Sequence, residues 1–265
     1  MLSRLQIKLM FVLATVSLIT ACTTNIAGRK QFMLVSEDSA ISASKQAYVD
    51  TLQPFQEQGK LDNNPSLVRR INRITDSLIQ QAILLRSDTK QWQWSVKVID
   101  DPETVNAWCM AGGKMAIYTG LIDKLSATDD EIAQVMGHEI SHALANHSAE
   151  RMSIAMANSI GLQAIQVATN ADQGQMGLAV AAAQLSLTLP NSRKSESEAD
   201  KIGIELAAKA GYNPNAAVTL WQKMEKVGSS KGFEFMSTHP SPSNRQEKLK
   251  KMIPQMMPYY LAAKN

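Results

Sequence analysis

Thr128-Asp129-Asp130-Glu131-Ile132-Ala133-Gln134-Val135-Met136-Gly137-His138-Glu139-Ile140-Ser141-His142 is the stretch whose reading decides the fold. Thr128 and Glu131 have the spacing of a capping box, so a helix is expected to begin near Asp129. Ile132, Val135, Met136 and Ile140 recur at helical intervals and supply its core face. Residues four apart in a helix lie one turn above each other. His138 and His142 therefore present two imidazoles on one face, as a single zinc ion requires. Glu139 lies beside them, placed to take a proton from a water activated by that ion.

A catalytic zinc takes three protein ligands and keeps one position for water. The third ligand is not a nearby histidine. In the extended pattern H-E-x-x-H-x-x-G-x-x-H, Ala145 would stand at the glycine and Ser148 at the last histidine. His147 is one residue early and would point about 100° away on the same helix. It reads as a structural residue in the last turn of that helix, where a cation is favourable. The better candidates lie in Ser195-Glu196-Ser197-Glu198-Ala199-Asp200. Glu196 and Asp200 share a helix face. Glu196 is suited to bind zinc and Asp200 to hold a histidine ligand by its other nitrogen. Glu198 points elsewhere and is the second choice.

Around the motif the chain alternates helices with one small sheet. A helix is expected from about Glu37 through the fifties. Asn64-Pro65 reads as an N-cap and a first-turn proline, with Leu67, Ile71, Ile74, Leu78 and Ala82 at helical spacing behind it. Trp92, Trp94, Val96 and Val98 alternate with polar residues, as in a half-buried strand. Gly112-Gly113 separates the apolar runs 107–111 and 114–118, a hairpin signal. Two helices are expected between Met152 and Leu189, broken near Asn170–Gln175 and ended by Pro190-Asn191; they are candidates for a lid or for plain core. Further helices are expected over Ser195–Ala210, after Asn213-Pro214, and at the C-terminus with Leu249 and Met252. The expected class is α+β, mostly helical, with a small β-sheet beside the motif helix.

The chain has 265 residues, is 45% hydrophobic and 19% charged, and carries a net charge of only +3, so it can bury a sizeable core and nothing calls for nucleic acid as a partner. Arg4 and Lys8 followed by the apolar run Leu9–Ile19 read as a signal peptide over 1–21, too short for a spanning helix. Leu18-Ile19-Thr20-Ala21-Cys22 resembles a bacterial lipobox, so Cys22 is the expected lipidation site and 22–36 a lipidated tether. Residues 37–265 are read as one zinc metallopeptidase domain. With Cys22 lipidated, Cys109 has no disulfide partner, and its apolar neighbours suggest a buried, inert thiol.

A wider set of residues points to a family. Asn106, Gly112-Gly113, Tyr118-Thr119-Gly120-Leu121, the His138–His142 motif, Arg193, Glu196, Ala199-Asp200, and Thr238-His239-Pro240 with Arg245 resemble the HtpX and CAAX-prenyl-protease family of zinc metallopeptidases, in its soluble periplasmic lipoprotein branch. The resemblance covers most of the chain from about residue 100 onward. It implies a zincin-like fold, one zinc per chain, Glu196 as third ligand, and a functional Asp200, sometimes described as a proton donor. It also singles out His239, either as a group that orients substrate or stabilises the oxyanion, or as a fourth ligand that blocks the water at rest. Strand Lys114–Tyr118 is expected at a sheet edge, with Gly113, Lys114, Met115 and Ala116 receiving substrate as an added strand. The expected function is zinc-dependent endopeptidase, anchored as an outer-membrane lipoprotein facing the periplasm and degrading misfolded or stalled envelope proteins. The alternative is a chaperone-like assembly or binding factor that keeps the metal site. The intact Glu139 speaks against it, because a pure binder needs no general base.

Overall fold

The computed structural model describes residues 22–169, 189–227, 234–239 and 244–264. In chain order the elements are strands β1 (Cys22–Thr24) and β2 (Lys30–Phe32), helices α1 (Glu37–Glu57) and α2 (Pro65–Leu85), strands β3 (Ser95–Ile99), β4 (Ala107–Met110) and β5 (Lys114–Tyr118), then helices α3 (Thr119–Lys124), α4 (Asp129–Leu144), α5 (His147–Thr169), α6 (Leu189–Lys209), α7 (Ala216–Val227), α8 (Phe235–Thr238) and α9 (Arg245–Ala262). The architecture is mostly helical with small sheets, a zincin-like α+β fold.

Local chemistry sets the helix starts. Asn64 Oδ1 accepts from the backbone N–H groups of Ser66 and Leu67, and Pro65 opens α2. Thr128 and Glu131 form the reciprocal capping box of α4. Ile71, Ile74, Leu78 and Ala82 on α2 meet Ile132, Met136 and Ile140 on α4 in one fully buried core. The two tryptophans read as strand residues precede β3 instead. Ser87–Gln91 forms a 3-10 turn, and the Trp94 indole N–H donates to the Thr89 carbonyl at 2.9 Å.

The three-stranded sheet runs β3-β5-β4, with β3 parallel and β4 antiparallel to β5. This corrects the expected substrate strand. β5 is the central strand, hydrogen-bonded on both sides, and Met115 and Ala116 are fully buried. Lys114 pairs with Ser95 and Met110 within the sheet. Gly113 is explained by packing. Its φ is 79°, and a Cβ there would overlap the Trp94 ring. Among the described residues, the sheet edge that packs beside the motif helix is β4.

Helix α4 makes its largest contact with α6. Two glycines allow the close approach: a Cβ on Gly203 would lie 2.8 Å from the His138 backbone nitrogen, and one on Gly137 would lie 3.0 Å from the Gly203 carbonyl oxygen. Pro190 lies in the first turn of α6 as described, where a missing N–H is tolerated. Helix α5 extends to Thr169, and the second expected helix, with the 170–175 break, lies outside the described residues. Residues 22–36 are seated more firmly than a tether. Gln31 donates to the Ala145 carbonyl (2.8 Å), and the Leu34 and Val35 N–H groups both reach Ser153 Oγ (2.9 Å).

Candidate metal centre

Three segments converge on the motif. Helix α4 carries His138, Glu139 and His142; α6 carries Glu196 and Asp200; His239 follows α8 and Arg245 opens α9. All seven are buried. His138, His142, Glu196 and His239 each offer one ligand atom, and those atoms lie within 4.8 Å of one another. The separations carry the chemistry. His138 Nε2 lies 3.1 Å from His142 Nε2 and 3.2 Å from Glu196 Oε2. His142 Nε2 is 3.4 Å from Glu196 Oε1, and His239 Nδ1 is 3.1 Å from the same oxygen. A tetrahedral zinc site with arms of about 2.0–2.1 Å has edges of about 3.3 Å. The four side chains therefore fit zinc both in donor type and in spacing.

Charge argues the same way. Burial opposes charge at every group, yet Asp200 and Glu196 outweigh it at His138, whose pKa rises to about 9. His142 lacks comparable support, and burial takes it well below its ordinary value. Burial likewise opposes ionisation of Glu196, but His138, His142 and His239 hold its carboxyl far below the usual range. A dication in the place of the His138 proton would meet the ionised glutamate while each imidazole offers it a lone pair. Glu139 differs. Burial raises its pKa against the pull of His239 and His138, and its Oε1 has no hydrogen-bond partner. That oxygen lies 3.4 Å from His239 Nε2, and a buried carboxyl of raised pKa beside a metal site is the form a general base takes.

Asp200 faces away from the quartet. Its Oδ1 meets His138 Nδ1 at 3.1 Å and Arg245 Nη2 at 2.5 Å, and the Arg245 guanidinium stacks on Trp221, 3.6 Å from the ring centroid. Glu198 does not join the ligands; its Oε2 meets His147 Nε2 at 3.0 Å. His147 departs from expectation. Asn146, with φ 57°, breaks the chain after α4, so His147 opens α5, and its Nδ1 lies 2.9 Å from His142 Nδ1. Arg245 and His147 were missed as supports. The only signal for Arg245 was the family resemblance, and His147 was judged by its place on one helix.

A cleft of about 420 Å³ opens beside the centre. Its walls come from β4, Ala43 and Ala47 on α1, and Arg151 and Met152 on α5, with Glu139, His142 and His239 at its floor. Cys109 lies buried in β4, and burial pushes its thiol well up, so it is no nucleophile.

The model of peptidase family M48 matches residues 65–253. The mitochondrial metalloendopeptidase OMA1 of Schizosaccharomyces pombe is 33% identical over 87% of the chain and 66% of its own length. The human mitochondrial metalloendopeptidase OMA1 is 36% identical over 63% of the chain and 34% of its own length. The Escherichia coli metalloprotease LoiP is 28% identical over 55% of the chain and 58% of its own length. The chain spans between about a third and two thirds of the length of these relatives. They overturn the expected location as an outer-membrane lipoprotein facing the periplasm, since the relatives matching most of the chain are named mitochondrial. The physical reason is that residues 1–21 are basic, apolar and free of acids, and more than one targeting route uses such leaders. A family model covering most of the chain, together with a buried His-His-Glu-His quartet, gives one conclusion: the chain belongs to peptidase family M48, and its centre has the donor set of a zinc-dependent metallopeptidase.

Proposed function

We propose that the chain is an endopeptidase for unfolded or misfolded proteins, with His138, His142 and Glu196 as zinc ligands and Glu139 as general base. The observation that carries this is the buried Glu139 carboxylate beside the ligand quartet, its Oε1 3.4 Å from His239 Nε2, at the floor of a cleft bounded by β4. Zinc, when bound, supplies Lewis acidity and a nucleophilic water near neutral pH. Glu139 accepts the proton of the attacking water and passes it to the leaving amine. Strand β4 offers the backbone groups of its outer edge to an extended substrate, a mode that reads main chain more than sequence and suits unfolded polypeptide. Asp200 positions His138 and leaves proton transfer to Glu139, because His138 and Arg245 engage its carboxylate. His239 would be the resting fourth ligand, since its Nδ1 lies 3.1 Å from Glu196 Oε1 among the same donor atoms. Phe235, stacked against the His239 ring at 4.5 Å, holds it there. Cys22 at the start of β1 is the attachment point for lipid, a reading carried by the lipobox-like run before it and checked by mass spectrometry of the mature N-terminus.

The test is degradation of casein by zinc-loaded protein, compared with Glu139→Gln at equal metal content. Loss of cleavage in the variant alone supports the reading. Equal cleavage by both proteins, or no cleavage by either once His239 is also replaced by alanine, would sink it.

A further inference from the structure

We propose that His147, Glu198 and Arg29 form an orienting relay for the zinc ligand His142, which makes the N-terminal hairpin a working part of the metal centre. The inference rests on the zinc reading above. It begins with the two nitrogens of His142. Nε2 faces the quartet and must offer a lone pair. Nδ1 therefore carries the ring proton. Nδ1 of His147 lies 2.9 Å away and accepts that proton in a hydrogen bond. His147 must then hold its own proton on Nε2, which lies 3.0 Å from Glu198 Oε2. The carboxylate of Glu198 accepts it, and is itself fixed by Arg29 Nε and by Asn25 Nδ2 at 2.8 Å. The two terminal nitrogens of Arg29 reach both oxygens of Glu150 on α5 at 2.6 Å. Every donor along this line meets an acceptor, and each tautomer follows from the one before it.

The arrangement parallels the other histidine ligand. His138 Nδ1 meets Asp200, which Arg245 fixes in turn. Each of the two zinc histidines on α4 is thus backed by a carboxylate–arginine pair, but the path from His142 is one imidazole longer. It is also supplied by a different part of the fold. Asn25 and Arg29 sit in and beside the turn between β1 and β2, while Asp200 and Arg245 come from α6 and α9. His147 is 1% exposed, so it has no solvent to turn to if Glu198 is lost. Partners of this kind fix ring orientation and ligand basicity, and their removal typically costs roughly ten- to hundredfold in metal affinity.

The experiment measures zinc affinity by chelator competition, with the visible spectrum of the cobalt-substituted protein and the melting temperature of the metal-free protein. It compares wild type with His147→Leu, His147→Asn, Glu198→Gln and Arg29→Gln. His147→Leu is expected to weaken zinc roughly ten- to hundredfold and shift the cobalt bands. His147→Asn keeps an acceptor oxygen where Nδ1 stood and should recover most of the loss. Glu198→Gln and Arg29→Gln should each weaken zinc severalfold; Arg29→Gln should also lower the metal-free melting temperature, because it takes the guanidinium from the buried Glu150 carboxylate. They carry the test if His147→Leu does not fold. Wild-type zinc affinity in both Glu198→Gln and Arg29→Gln would overturn the relay and leave the zinc reading standing. A wild-type protein that takes up no zinc would overturn both.

Discussion

Replacing Gly203 by alanine should separate the helix that carries the third ligand from the helix that carries the motif. An added Cβ would lie 2.8 Å from the His138 nitrogen, 2.9 Å from its Cα and 3.0 Å from the Gly137 carbonyl carbon. Those are backbone atoms, so no side chain can swing aside. Carbon atoms in good contact sit about 3.5–4.0 Å apart, so α6 must retreat by roughly 0.5–1 Å at that point. Metal sites tolerate errors of about 0.2 Å in ligand distance. Glu196 and Asp200 ride on the same helix, and the retreat takes them out of range. Overpacking costs about 1–3 kcal/mol, while alanine's better helix propensity returns up to about 1 kcal/mol. The metal-free protein should therefore lose about 1–2 kcal/mol in urea denaturation, and zinc affinity should fall more than about tenfold. Gly161 on α5 is the matched control. Nothing lies within 4 Å of its added Cβ, so Gly161→Ala should gain about 0.5–1 kcal/mol and leave zinc binding alone. If Gly203→Ala gains stability as Gly161→Ala does and keeps its zinc, the two glycines do not set the helix spacing and the reasoning fails.

His239→Ala removes the resting fourth ligand, so casein cleavage should rise severalfold while zinc affinity drops; a fall in cleavage at full zinc loading would show instead that His239 serves the reaction. Chelation with EDTA should lower the melting temperature, by an amount equivalent to about 2.7 kcal/mol when free zinc had stood at a hundred times its dissociation constant. An unchanged melting curve would mean that the buried quartet holds no metal. Glu131 supplies the pH dependence. Burial raises its pKa, but Lys223 (2.7 Å), the Thr128 N–H and the Thr219 hydroxyl outweigh burial and hold the carboxyl below its ordinary value. A depressed carboxyl stabilises the fold above its unfolded pKa, and that contribution is lost as pH falls through the folded value. The stability gap between the metal-free protein and its Glu131→Gln variant should therefore be widest near neutral pH and close below about pH 4. A gap that persists unchanged to pH 3 would contradict this assignment.

What could be read from the chain, and what could not, divides along a physical line. The Thr128–Glu131 box, the Asn64–Pro65 start and the Gly112–Gly113 turn are local: each is satisfied within a few residues, so spacing alone announces it. The place of β5 in the sheet is not local. Its hairpin with β4 was visible, but β3 pairs with its other side from across an intervening loop, and that moved the sheet edge from β5 to β4. Residues 22–36 show no periodicity because three-residue strands are too short to have one, so Arg29 looked like part of a tether. Gly137 and Gly203 carry no spacing signal, and their role shows only where the two backbones touch. The same division runs through the centre itself. His138, Glu139 and His142 share one helix turn and are demanded atom by atom by the chemistry. Glu196 was favoured over Glu198 because it shares a face with Asp200, which is again a local argument. The partners that hold the ligands are a different matter. A ring N–H is satisfied by any acceptor that comes within reach, and here the acceptors are an aspartate on another helix for His138 and a second imidazole for His142. No spacing rule selects between such partners, so the proposed ligands could be picked out along the chain while their support became visible only when the helices and the hairpin met around them.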